Sequence, residues 1–223
     1  MNKQPKLVIW DFDGVISDTE HLWIKNWKTL LKMRLGIDWD FNTANNFLCG
    51  ISPKTKILKF KEIGISIDDA FLAELKKLDW DTMSEIEAVR GVEDVFNLPN
   101  FAKCIATGGN LDKTNKKLEV LDFNKYFSEK QIFTAQMVEH GKPEPDLFLF
   151  AAQQMGYKPQ NAIVIEDSLA GLTAAIKAGM LPVAFLGCPL NNNPEYVKKA
   201  QELGVKHIFF EMKDVKEFLL SLL

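Results

Sequence analysis

The chain has 223 residues, a hydrophobic fraction of 47%, a charged fraction of 26% and a net charge of -3. That much apolar content can close a core, as one large domain or as a domain with a smaller insert. The mild acidity argues against a duplex nucleic-acid binder, which needs a basic face to meet phosphates.

The apolar runs are too short to span a bilayer, and residues 1–10 lack the cationic and apolar segments of an export signal. Cys49, Cys104 and Cys188 form no Cys-x-x-Cys pair or Cys/His cluster. They read as reduced packing thiols, and the expected setting is cytoplasmic, without a membrane.

In chain order, Leu7-Val8-Ile9-Trp10 opens as a buried strand that meets an acidic turn. From about residue 18 to residue 89 no strand is convincing. Leu22, Trp23, Trp27, Leu30 and Leu31 share a helical stripe. Ile57, Leu58 and Phe60, then Phe71, Leu72, Leu75 and Leu78, predict further helices. Gly91 marks a return to a second pattern. Apolar strand-like runs recur at 104–106, 132–133, 162–165, 182–185 and 208–210. Helical spacing lies between them: 110–121 with Asn110 or Asp112 as N-cap, 146–155 with Asp146 as N-cap, 168–178 with Ser168 as N-cap, and 194–203. Asn191-Asn192-Asn193-Pro194 reads as a polar loop. Strand-helix alternation predicts an α/β fold: a parallel sheet with helices on its faces, interrupted by an all-helical insert.

Four polar clusters sit at the ends of the predicted strands. In Asp11-Phe12-Asp13-Gly14 the two carboxylates are at i and i+2, so they project to one side of an extended chain. Ligands of open α/β sheets bind beyond the carboxyl ends of the strands, and carboxylates are hard ligands suited to Mg²⁺. The plain alternative is a turn of solvated aspartates with Asp13 as a helix cap.

This segment, DFDGVISDT, resembles the first motif of the haloacid dehalogenase (HAD) superfamily. It is most similar to the branch of β-phosphoglucomutase and the sugar-phosphate phosphatases. The resemblance implies that Asp11 is a nucleophile and Asp13 a general acid/base. Dehalogenases lack the second Asp.

Thr107-Gly108-Gly109-Asn110 places a hydroxyl at a strand end before a helix, suited to a phosphate or simply a Gly-rich loop with a cap. It matches the family's second motif, and implies phosphate binding by Thr107 and Gly108. In Gly141-Lys142-Pro143-Glu144-Pro145, two prolines hold a lysine just before a helix. This resembles the third motif, in which the lysine pairs with nucleophile and phosphoryl group. Glu166-Asp167 follows an apolar strand. Asp167 or Ser168 could merely cap the next helix. The resemblance to the fourth motif implies Mg²⁺ contacts by Glu166 and Asp167, beside Asp11 and the Asp13 carbonyl.

The resemblance covers the whole chain. It implies a Rossmann-like core over 1–16 and 88–223 and a helical cap over 17–87. It also implies a Mg²⁺-dependent phosphatase acting through an aspartyl phosphate on a small phosphorylated metabolite, with a sugar phosphate as the expected substrate. Trp10 departs from the smaller aromatic usual there. In the cap, His21, Trp23, Lys54 and Lys56 are the substrate candidates, near Cys49-Gly50-Ile51-Ser52-Pro53. His21 and Lys54 are carried as tentative substrate contacts, against solvated helix residues as the plain alternative. The same residues would serve a phosphomutase, and a binding module that kept the fold without catalysis is the non-enzymatic alternative. A monomer is expected.

Overall fold

In the computed structural model, residues 6–48, 53–189 and 191–223 are described; the side chains of Pro53 and Lys54 are not. By contacts the chain divides into two compact units: residues 1–18 with 87–223, and residues 19–86.

The elements in order are β1 (Lys6–Trp10), β2 (Ser17–Asp18), α1 (Glu20–Leu35), α2 (Phe41–Leu48), α3 (Pro53–Glu62), α4 (Asp69–Asp81), β3 (Glu87–Ala88) and α5 (Val92–Phe96). They continue as β4 (Phe101–Thr107), α6 (Leu111–Val120), β5 (Ile132–Thr134), α7 (Asp146–Gln154), β6 (Ala162–Glu166), α8 (Leu169–Lys177), β7 (Leu181–Phe185), α9 (Pro194–Glu202), β8 (His207–Phe209) and α10 (Met212–Ser221).

The larger unit is built on a six-stranded sheet of order β5-β4-β1-β6-β7-β8 among the described residues. Every neighbouring pair in it is parallel. Strand residues alternate between faces, so a strand covered on both sides must be apolar throughout. β1 shows this. Leu7 and Ile9 pack with Phe148 and Ala151 of α7 and Ala174 of α8. Val8 and Trp10 pack with Val95 and Phe96 of α5 and Val215 of α10. Trp10 meets Phe96 edge-on, ring centres 5.1 Å apart. The large aromatic at this position therefore fills the core and does not reach the site edge.

Trp10 stands opposite Ile105 of β4 and Ile165 of β6. The residues that follow β1, β4 and β6 thus emerge at one edge of the sheet, side by side. From β4 the chain runs outward to β5, then crosses β1 to reach β6. Such a reversal opens a crevice at the carboxyl ends of the strands.

Several local expectations are met and some are not. Asn110 caps α6 by accepting from the Lys113 N–H at 2.8 Å, and Ser168 caps α8 by accepting from Gly171 N–H at 3.0 Å. Asp146 is not a cap: it lies inside α7, and Pro145 holds the cap position. The last strand begins at His207, and Phe210 lies beyond it, exposed. The short antiparallel ribbon of β2 and β3 went unread, because two residues are too few for a periodic signal. The Asn191–Asn193 segment, read only as a loop, ends in a cap: Asn193 accepts from Tyr196 N–H at 2.9 Å.

The smaller unit is helical, α1 to α4. Trp27 stacks on Phe60 at 5.4 Å between centroids and lies 5.5 Å from Phe71. Leu22, Ile24, Leu30 and Leu31 complete the buried stripe of α1. Trp23, assigned to that stripe from spacing, is only partly buried, and Ile24 takes the inner place. Leu58 is exposed for the same reason: Phe60 is the inward residue of α3. Among the described residues no helix is long and apolar enough to cross a membrane.

Candidate functional site

The loop after β1 is tightly hydrogen-bonded. Gly14 N–H donates to the Ser17 carbonyl at 2.8 Å, and Ile16 N–H to the Phe12 carbonyl at 2.9 Å. Gly14 has φ +83, a conformation that favours glycine. A Cβ at this position would stand 1.9 Å from Asp167 Oδ2. Glycine is therefore needed twice here, for the turn and for the close approach of Asp167.

Asp11 leaves β1 at the sheet edge, and its N–H donates to the Ile165 carbonyl at 2.9 Å. Its side chain is buried, 6% exposed. Lys142, on the loop before α7, donates through Nζ to Asp11 Oδ1 at 2.5 Å and to Glu166 Oε2 at 2.7 Å. The Lys142–Pro143 peptide is cis. Glu166 is 1% exposed, and its other oxygen accepts from Ser168 N–H at 2.9 Å and Ser168 Oγ at 2.7 Å. A Cβ on Gly171 would lie 2.1 Å from Glu166 Cδ, so α8 approaches this carboxylate as closely as the chain permits.

One carboxylate oxygen each from Asp11, Glu166 and Asp167 lies within 4.8 Å of the others. Asp167 Oδ2 accepts from Asn191 Nδ2 at 2.7 Å. Burial, then Glu166, raises the Asp11 carboxyl to a pKa of about 7, against the lowering pull of Lys142. Burial alone would lower the Lys142 ammonium, but Asp11 and Glu166 outweigh it and the net direction is upward. The crowded carboxylates exceed the charge of one lysine. An all-oxygen donor set with surplus negative charge fits a hard divalent cation such as Mg²⁺.

Thr107 closes β4 with 2% exposure. Its Oγ1 accepts from Gly109 N–H at 3.2 Å, which leaves the hydroxyl proton for an anionic oxygen. A Cβ on Gly108 would meet nothing within 4 Å, so the backbone here is open to a ligand.

Asp13 is not one of the three grouped carboxylates, although its charge acts on Asp11. Its Oδ1 accepts from Lys117 Nζ of α6 at 2.5 Å. Lys117 is buried, 4% exposed, and its ammonium lies 5.2 Å from the Phe12 ring centre. Sequence reading missed Lys117, Asn191 and Cys188, whose Sγ lies 3.3 Å from the Gly14 carbonyl. For Lys117 a signal existed: with Thr114 and Leu118 it falls on the inner stripe of α6.

The cap candidates stand differently. His21 lines a cavity of about 390 Å³ within the smaller unit, with Lys25, Lys28 and Lys32. Asp38 tempers its positive charge through a 2.7 Å contact with Lys32. Lys54 belongs to α3, but its side chain is outside the described residues. The segment 49–52 is outside them too. Lys56 is half-buried on α3. Cys104 and Cys188 are buried free thiols.

A family model described as haloacid dehalogenase-like hydrolase matches residues 8–185. The fructose-1-phosphate phosphatase YqaB of Escherichia coli is 31% identical over 189 residues, covering 78% of this chain and 92% of that one. The β-phosphoglucomutase of Bacillus subtilis is 26% identical over 228 residues, covering 95% and 97%. A haloacid dehalogenase-like protein of unknown function from Agrobacterium tumefaciens superposes with a TM-score of 0.85 at 24% identity, over 97% of this chain and 98% of that one.

Proposed function

This chain belongs to the haloacid dehalogenase-like hydrolase family, and from that premise we propose that it is a Mg²⁺-dependent phosphatase of a small phosphorylated metabolite, a sugar phosphate, with Asp11 as nucleophile. The observation that carries this reading is the convergence of Asp11, Glu166 and Asp167 on one point, with Lys142 bridging the first two.

Asp11, Glu166, Asp167 and the Asp13 carbonyl would hold Mg²⁺, which supplies positive charge against the repulsion between carboxylate and phosphate. Lys142 adds a second positive charge at the Asp11 oxygen. The Thr107 hydroxyl and the open backbone at Gly108 orient the phosphoryl oxygens. An Asp11 oxygen forms a bond to phosphorus as the bond to the substrate oxygen breaks, giving an aspartyl phosphate. Asp13 donates a proton to the departing oxygen. Water then attacks phosphorus, Asp13 takes a proton from it, and Asp11 leaves as carboxylate with inorganic phosphate released.

In this reading the helical unit over 19–86 is the cap, and His21 and Lys54 are its groups for the substrate beyond the phosphate. The relatives named above act, by their names, on fructose 1-phosphate and as a β-phosphoglucomutase. Both names point to a hexose phosphate. The test is a phosphate-release screen over sugar phosphates, fructose 1-phosphate and glucose phosphates included, with and without a chelator. Metal-dependent release from at least one supports the reading. Conversion to an isomeric sugar phosphate without net phosphate would establish a mutase instead. No turnover of any phosphoester would favour the non-catalytic alternative.

A further inference from the structure

Burying a lysine is costly unless its charge is paired, and an apolar residue of similar volume serves a helix–sheet contact at least as well. Lys117 sits on the inner stripe of α6 beside Thr114 and Leu118. Its ammonium rests near the Phe12 ring and binds Oδ1 of Asp13. The helix that begins just after Thr107 therefore also carries the group that anchors Asp13.

We propose that Lys117 is a positioning residue for proton transfer: it holds Oδ1 of Asp13, so that Oδ2 is the oxygen that exchanges the proton with substrate and water. The direction of the hydrogen bond supports this. An ammonium only donates, and Oδ1 must accept from it whether or not Asp13 carries a proton. The transferred proton is then confined to Oδ2. Fixing the carboxyl in one rotamer matters because a misplacement of about 1 Å in a reacting group costs on the order of 100-fold in rate. The inference rests on the acid/base reading of Asp13.

The test uses Lys117→Met, Asp13→Asn and the double variant, assayed with β-glycerophosphate and p-nitrophenyl phosphate. Lys117→Met is expected to lower kcat on β-glycerophosphate ~100-fold with little change in KM. Nitrophenolate leaves with little need of a proton. The variant should therefore release a burst of it, near one per enzyme, before slow turnover, because the first step survives and water activation does not. Burst amplitude counts the folded sites, so kcat is read per competent enzyme. If the Met variant folds poorly, Lys117→Gln, which also lacks the ammonium, should show the same loss. In the Asp13→Asn background Lys117→Met should cost nothing more. A wild-type kcat in Lys117→Met or Lys117→Gln, with Asp13→Asn impaired, would overturn the inference alone. So would an equal further loss in the double variant, which would make Lys117 merely structural. Full activity in Asp13→Asn would instead bring down the acid/base reading, and this inference with it.

Discussion

Lys142 Nζ bridges two buried carboxylates, 2.5 Å from Asp11 Oδ1 and 2.7 Å from Glu166 Oε2. One cation thus joins the end of β1 to the end of β6. Removing it leaves two acids facing each other out of water. Lys142→Met is expected to destabilise the fold by about 3–5 kcal/mol, the usual cost of breaking a buried pair from one side. Denaturant unfolding measures this, with the midpoint falling and the slope unchanged. Activity should fall as well, since the nucleophile loses its partner. Full stability in Lys142→Met would mean that the pair is not formed in solution.

The acidic cluster also gives metal binding a pH signature. The folded Asp11 carboxyl is raised to about 7 from 3.8, chiefly by burial and then by Glu166. Between those values the folded state holds more protons than the unfolded one, so the metal-free protein should lose stability as pH rises from about 4 to about 7. The contribution is fully present below the unfolded value and gone above the folded one. A divalent cation binds the deprotonated cluster and stabilises the fold by mass action. The increase in Tm on adding Mg²⁺ is therefore expected to be larger at pH 8 than at pH 5. Thermal scans with chelator and with Mg²⁺ at both values check it. An equal shift at both would contradict the assignment of the cluster as the metal seat.

Gly14→Ala is expected to weaken Mg²⁺ binding. The φ of +83 costs alanine roughly 1 kcal/mol. More importantly, the new Cβ occupies the place of Asp167 Oδ2, 1.9 Å away. Asp167 must move, and its contact with Asn191 moves with it. The half-saturating Mg²⁺ concentration for activity should rise by about tenfold or more, since disturbing the groups that orient a ligand typically costs 10–100-fold in affinity. Unchanged metal dependence would show that Asp167 takes no part.

Much of this was readable in the sequence for one physical reason. A parallel sheet buries its strands on both faces, so Leu7–Trp10 and Ala162–Ile165 are apolar throughout, and the first polar residues after them mark the working edge. Asp11, Thr107 and Glu166 stand out against that background. Lys117 is harder to see, because a lysine in an otherwise polar helix reads as solvated; its spacing with Thr114 and Leu118 marks the inner stripe, but its partner Asp13 emerges only from the fold. Asn191 is hidden in the same way, as a loop residue whose partner is set by folding. In α1, spacing alone could not choose between Trp23 and Ile24 for the inner place, since adjacent residues differ by less than a third of a turn. The proposed cap contacts are the least legible, because an exposed residue such as His21 has no apolar pattern to mark it.

In the proposed reaction Asp11 takes the phosphoryl group. The most direct measurement is mass spectrometry of protein quenched in acid during turnover of p-nitrophenyl phosphate, with Mg²⁺ present. A phosphoryl group on the peptide containing Asp11, lost under hydroxylamine and absent from Asp11→Asn together with at least ~1000-fold of the activity, is the expected result. Near-normal turnover by Asp11→Asn, or phosphoryl transfer to another residue, would contradict it.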